Sequence, residues 1–132
     1  MKAALVIWAS KGLRTGVGVA SVSIGAWKLF VGSNPAAWVS GSMFYFSAGV
    51  ELMIGFGALA TRATWPMWLG MVCGASIIAL GAAHAGDPRP CGCLGLVDIP
   101  PAVRIVYGAT MGAACSLVLA MRATARGSER VR

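Results

Sequence analysis

Apolar residues along this chain fall into four long runs, separated by short stretches rich in Pro, Asn and charge. The pattern predicts four helices long enough to cross a membrane. Span one covers 15–32, span two 39–61, span three 65–85 and span four 102–121. Each holds about 18–23 residues, enough at about 1.5 Å per residue to cross a hydrocarbon core of about 30 Å. The apolar run Ala3 to Ala9 is too short for a secretory leader, and charge follows it at Lys11 and Arg14 rather than a small-residue cleavage site. Met1 to Ala9 are expected to form an interfacial helix or an extension of span one, with Trp8 near the head groups.

The breaks follow from turn chemistry. Ser33-Asn34-Pro35 ends span one, because proline cannot continue a helix and Asn favours turns. Arg62 stops span two, and Trp65-Pro66 with Trp68 opens span three at an interface. Gly18, Gly25 and Gly32 recur every seven residues, with Ser21 between them. That stripe lets another helix backbone come close, as do the pairs Gly70/Gly74 and Gly108/Gly112. The tail from Arg122 to Arg132 is basic and is expected to fray.

Composition supports the same class. Only 11% of the 132 residues are charged, against about 25% in a soluble domain. The expected fold is all-α: a single transmembrane domain over 1–132, a four-helix bundle with no separate soluble domain. The net charge of +7 does not indicate nucleic acid, because the basic residues cluster at the ends of apolar runs. They read as topology determinants and as contacts for anionic lipid head groups. Lys2, Lys11, Arg14, Arg62, Arg122, Arg126, Arg130 and Arg132 fall on one side of a four-span layout, and Arg89, Arg104 and Lys28 nearer the other. Both termini are therefore expected in the cytoplasm, in the inner membrane, with the loop 86–101 facing the periplasm or cell exterior, where disulfides persist.

That loop carries the chemistry. Pro90-Cys91-Gly92-Cys93-Leu94-Gly95 sets two thiols one residue apart, flanked by Pro88, Pro100 and Pro101. A disulfide between such near neighbours closes a small strained ring, which glycine at position 92 eases. A strained, exposed disulfide is a better oxidant than a structural one and suits exchange with a partner. The competing readings are a permanent local disulfide, two idle thiols, or a soft-metal site for Cu(I), Zn or Hg(II) with His84 added. His84 could help deprotonate an attacking thiol, or be only a polar helix end. Arg89, two residues before Cys91, could favour its thiolate. Cys91, nearer to both, is the sulfur expected to be attacked.

Four other residues stand out inside the apolar runs. Lys28 and Glu51 are costly in hydrocarbon; they could pair, or Lys28 could snorkel while Glu51 is protonated or bonded to serine. Cys73 and Cys115 lie at similar depths, roughly 12 and 10 Å from the cytoplasmic side. They could form a second thiol pair, or serve as small hydrophobes at close helix contacts.

The layout resembles the MauE/DoxX family of small redox-associated membrane proteins. Gly25-Ala26-Trp27-Lys28-Leu29, Glu51-Leu52 and Cys91-Gly92-Cys93-Leu94-Gly95 carry the resemblance. The typical MauE loop reads Cys-Gly-Cys-Phe-Gly, so Leu94 is a departure. The resemblance implies thiol–disulfide exchange with a thioredoxin-like partner or a secreted disulfide-rich client. Whether the chain is itself an oxidoreductase, and whether it oligomerises, stays open. A quinone could re-oxidise the loop, but no quinone site is legible in the sequence. The alternatives are a soft-metal transporter or chaperone, and a non-catalytic scaffold subunit of a membrane assembly.

Overall fold

A computed structural model describes residues 2–37, 39–87, 89–94 and 99–130; for residues 2–4, 126 and 128–130 it describes the backbone alone. Pro88, Gly95 and Arg132, singled out above, lie outside the described residues, as do the side chains of Lys2, Arg126 and Arg130. The described residues form four helices: α1 (Lys2–Val31), α2 (Gly41–Ala60), α3 (Trp65–Ala83) and α4 (Pro101–Arg130). They pack in a ring, α1 on α2 and α4, α3 on α4 and α2, with each helix antiparallel to the next in the chain.

The helix ends follow local chemistry. Gly32 takes the left-handed conformation (φ +78°) and its N–H bonds the Lys28 carbonyl at 3.0 Å, closing α1. Gly32 thus ends the helix rather than continuing the stripe of Gly18 and Gly25. Asn34 Oδ1 accepts from the Ala36 N–H at 2.9 Å, which makes the turn. Ser40 caps α2, its Oγ accepting from the Met43 N–H at 3.3 Å. Pro66 sits in the first turn of α3, where its missing N–H costs nothing. Of the two forms open to residues 1–9, an interfacial helix or an extension of span one, the structure has the extension: from Lys2 on they belong to α1. The basic tail does not fray at residue 122: α4 continues to Arg130.

Among the described residues, three helices are long and apolar enough to cross a membrane: Gly41–Ala60, Trp65–Ala83 and Pro101–Ala125. The four apolar runs are therefore not equivalent. α1 is 30 residues long but carries Lys11, Arg14 and Lys28, and falls short of the apolarity of the others. Two of those charges turn inward: Arg14 and Lys28 are both buried. The outer surface of the bundle instead shows Trp8, Val19, Phe30, Phe46, Met53, Phe56, Trp68 and Val72.

Glycine sets the closest approaches. A methyl added at Gly74 would lie 2.6 Å from the Gly108 carbonyl oxygen and 3.0 Å from the Gly112 nitrogen, so α3 meets α4 backbone to backbone at Gly74, while Gly70 faces Cys115. Between α1 and α2, a methyl at Gly55 would lie 2.9 Å from the Gly18 oxygen. The apolar core, with Val17, Ile54, Met67, Met111, Cys115 and Val118, fills the half of the bundle nearer the termini. The other half is not filled, and the cysteine loop closes over it.

Gly74→Ala should destabilise the bundle by about 1–3 kcal/mol, since its neighbours are backbone and cannot give way. Gly49→Ala, where an added methyl meets nothing within 4 Å, should lose no stability. Unfolding in mixed detergent micelles measures both; equal losses would contradict the glycine crossing.

Candidate functional site

The unfilled half holds a cavity of about 260 Å³. All four helices and the cysteine loop contribute to it. Its apolar wall includes Ile24, Met43, Ile77, Leu80, Ile99 and Val103. Its polar groups are Lys28 of α1, Ser47 and Glu51 of α2, and Arg104 and Tyr107 of α4, with Cys73 of α3 beside them and Cys91 and Cys93 from the loop.

Cys91 and Cys93 are joined by a disulfide, with Cα atoms 5.3 Å apart. Cys91 is fully shielded and Cys93 is half-buried. Gly92 between them has φ +69°, and a side chain there would also collide with Ala37 in the α1–α2 turn. Only glycine meets both demands. The loop is thus docked on the turn that follows α1, at the end of the bundle where α1 and α3 finish.

The ion pair lies deeper. Lys28 Nζ donates to Glu51 Oε1 at 2.9 Å and to Ser47 Oγ at 3.0 Å, with both charged side chains buried. Of the two readings open for these residues, the structure has pairing. Ser47 in turn donates to the Phe44 carbonyl at 2.8 Å. The second carboxylate oxygen, Glu51 Oε2, has no partner.

Sequence reasoning missed three residues. Arg14, read as a topology charge, is buried and donates to four carbonyls at the end of α2: Ala58 at 2.7 Å, Ala63 at 3.0 Å, Gly57 at 3.2 Å, and Thr61. It satisfies oxygens that a helix end leaves without intrahelical donors. Arg104, read the same way, is buried in the first turn of α4; its Nε donates to the Ile99 carbonyl at 3.1 Å and its Nη1 has no partner. Tyr107 has an unpartnered hydroxyl. The available signal was the spacing of Arg104 and Tyr107, three apart and so on one helix face.

The remaining candidates sit elsewhere. His84 caps the end of α3, with Nδ1 3.2 Å from the Leu80 carbonyl. Arg89 is exposed and grips Asp87 through Nη2–Oδ2 at 2.8 Å and Nε–Oδ1 at 3.1 Å. These bonds pull the Asp87 carboxyl down from 3.8 to about 2. The pair therefore supports the loop above pH about 4 and weakens only as pH falls toward 2. Neither His84 nor Arg89 lines the cavity. Cys73 and Cys115 are both free thiols. Cys115 packs against Gly70 in the core, while Cys73 borders both the core and the cavity.

No family model, curated protein or solved structure matches the chain. The site must therefore be read from its own chemistry. Among the described residues no three His, Cys, Asp or Glu side chains group as metal ligands would. What the site does combine is a disulfide, a buried ion pair and unsatisfied polar atoms around an apolar space.

Removing one partner of the ion pair strands the other charge. Lys28→Met should cost about 3–5 kcal/mol of stability. The double variant Lys28→Met/Glu51→Leu should recover most of that loss, read by the same micelle unfolding. A double variant as unstable as the single one would mean the pair is not what holds α1 to α2.

Proposed function

We propose that this chain is a membrane thiol–disulfide exchange protein of the MauE/DoxX type. Its Cys91–Cys93 disulfide accepts electrons from a thioredoxin-like partner or a secreted disulfide-rich client. The observation that carries this reading is the disulfide itself, formed between near neighbours at the mouth of a cavity. A bond closing so short a loop removes little chain entropy and ties no helix to another, so it contributes little as a staple. Its two sulfurs also differ. The sequence pointed to Cys91 as the attacked sulfur, but Cys91 is sealed and Cys93 is half-buried. Burial favours Cys93 as the point of attack, with Cys91 as the sulfur released toward the cavity.

The reading includes four crossings of the inner membrane. The inward turn of Arg14 and Lys28 supports a crossing by α1, since both charges find partners on α2 instead of facing lipid. The antiparallel ring puts both termini at one end of the bundle, the end that also carries Lys11, Arg62 and Arg122. The positive-inside rule assigns that end to the cytoplasm and the cysteine loop to the outer side.

Two outcomes are expected. After mild reduction, a membrane-impermeant maleimide should label Cys93 in spheroplasts; labelling only after permeabilisation would overturn the orientation. In cells holding the partner, Cys91→Ser should accumulate a mixed disulfide through Cys93, seen as a heavier band on a non-reducing gel that reductant removes. If neither single cysteine variant forms an adduct and the double variant keeps full activity, exchange is the wrong function.

A further inference from the structure

We infer that a cleft at the end of the bundle away from the cysteine loop binds an anionic phosphate group, presented by the head group of a membrane phospholipid. The cleft has a volume of about 250 Å³ and lies between α1, the α2–α3 turn and α4. Three cations line it, one from each of those elements: Lys11, Arg62 and Arg122. Ile7, Met121 and Ala125 supply its apolar part. It shares no residue with the cavity under the cysteines, so the inference stands apart from the exchange reading.

Three like charges around one cleft repel one another, and a bound anion turns that repulsion into attraction. Among the described residues, no carboxylate lines the cleft and none pairs with Lys11, Arg62 or Arg122. Two of the cations are nevertheless held in place. Arg122 Nη1 donates to the Arg62 carbonyl at 2.8 Å, which ties α4 to the turn that carries Arg62. Lys11 Nζ lies over the Trp8 ring, 5.8 Å from its centre. Arg14, one helical turn further along α1, is already committed to the carbonyls at the end of α2. The Ser10 hydroxyl, also in the wall, donates to the Ile7 carbonyl at 2.9 Å. The three cations therefore carry the recognition. A guanidinium can meet two phosphate oxygens at once, and the ammonium adds a point charge.

The setting selects the source of the phosphate. α2 and α3 are both long and apolar enough to cross a membrane, so the short turn between them, with Arg62, lies at a membrane surface. Exposed tryptophans flank the cations in the chain: Trp8 is 74% and Trp65 42% exposed. Tryptophan concentrates at the depth of lipid head groups. A phospholipid brings phosphate to that depth and lays apolar chains along the outer face of the bundle. A soluble phosphate gains nothing from Ile7, Met121 and Ala125. Basic pockets between membrane helices suit anionic head groups for these reasons.

The test uses the purified full chain in detergent. Native mass spectrometry counts bound lipid as dioleoylphosphatidylglycerol or dioleoylphosphatidylcholine is added. The acyl chains are identical, and only in the second is the phosphate charge balanced by the lipid's own cation. Phosphatidylglycerol should saturate at one tight equivalent per chain, and phosphatidylcholine should not. Lys11→Gln and Arg62→Gln should each weaken that equivalent about five-fold, the effect of one basic residue at an anionic surface. Both residues are exposed, so these variants are preferred to Arg122→Gln, which would also break the bond to the turn; circular dichroism confirms that they are folded. Arg89→Gln removes the same charge from the opposite end and should leave the equivalent unchanged. Inorganic phosphate, added over the same concentrations, should displace no lipid. Displacement by inorganic phosphate would overturn the lipid assignment in favour of a free anion. Equal uptake of the two lipids would overturn the site. So would equal weakening by Arg89→Gln and Arg62→Gln, the result expected if diffuse charge alone attracts the lipid.

Discussion

A lysine and a glutamate buried between two helices set the arrangement of most of this bundle. Neither charge is tolerable alone at that depth, so α1 and α2 are held in the one register that brings Lys28 to Glu51. Arg14 meets the end of α2 fourteen residues earlier on α1, which pins the same register from the other side. Between these two polar ties the helices approach through Gly18 and Gly55 with little side chain between them. The pair also shapes the site. Lys28, Ser47 and Glu51 line the cavity that the cysteines also border.

The bundle divides into a packed half and a hollow half, and the cysteine loop sits over the hollow one. The packed half supplies stability through Ile54, Met67, Cys115 and Val118. The loop is placed by a small contact, Gly92 on Ala37, rather than by long-range covalent ties. Opening the disulfide therefore disturbs few of the contacts that maintain the helices. The two sulfurs of the pair are unequally placed, Cys91 sealed and Cys93 half-buried.

Much of this could be read from the sequence. Helix number and approximate ends followed from apolar runs punctuated at Asn34-Pro35, Arg62 and Pro100-Pro101. The small-residue pairs of α3 and α4 stood out by spacing, but that Gly74 meets Gly108 and Gly112 did not follow from it. Lys28 and Glu51 stood out because charge is rare in such runs, although whether they pair depends on a register that the sequence does not specify. The cavity was not legible, because it is an absence of side chains where four helices and a loop converge. Arg14 and Arg104 were misread for a related reason. Near the end of an apolar run a basic residue ordinarily faces the head groups, and only the neighbouring helix decides whether it turns inward. Gly32 fitted the seven-residue stripe by spacing but is taken by the cap that ends α1.

The claim that most needs measuring is that the Cys91–Cys93 bond is a working disulfide and not a structural one. Redox titration of the purified protein in glutathione buffers, with the cysteines quantified by alkylation and the helices followed by circular dichroism, addresses it directly. The account predicts that the pair reduces and re-oxidises reversibly while helix content and unfolding midpoint stay nearly constant. A bond that resists reduction until the bundle unfolds, or a bundle that collapses when the bond opens, would contradict it.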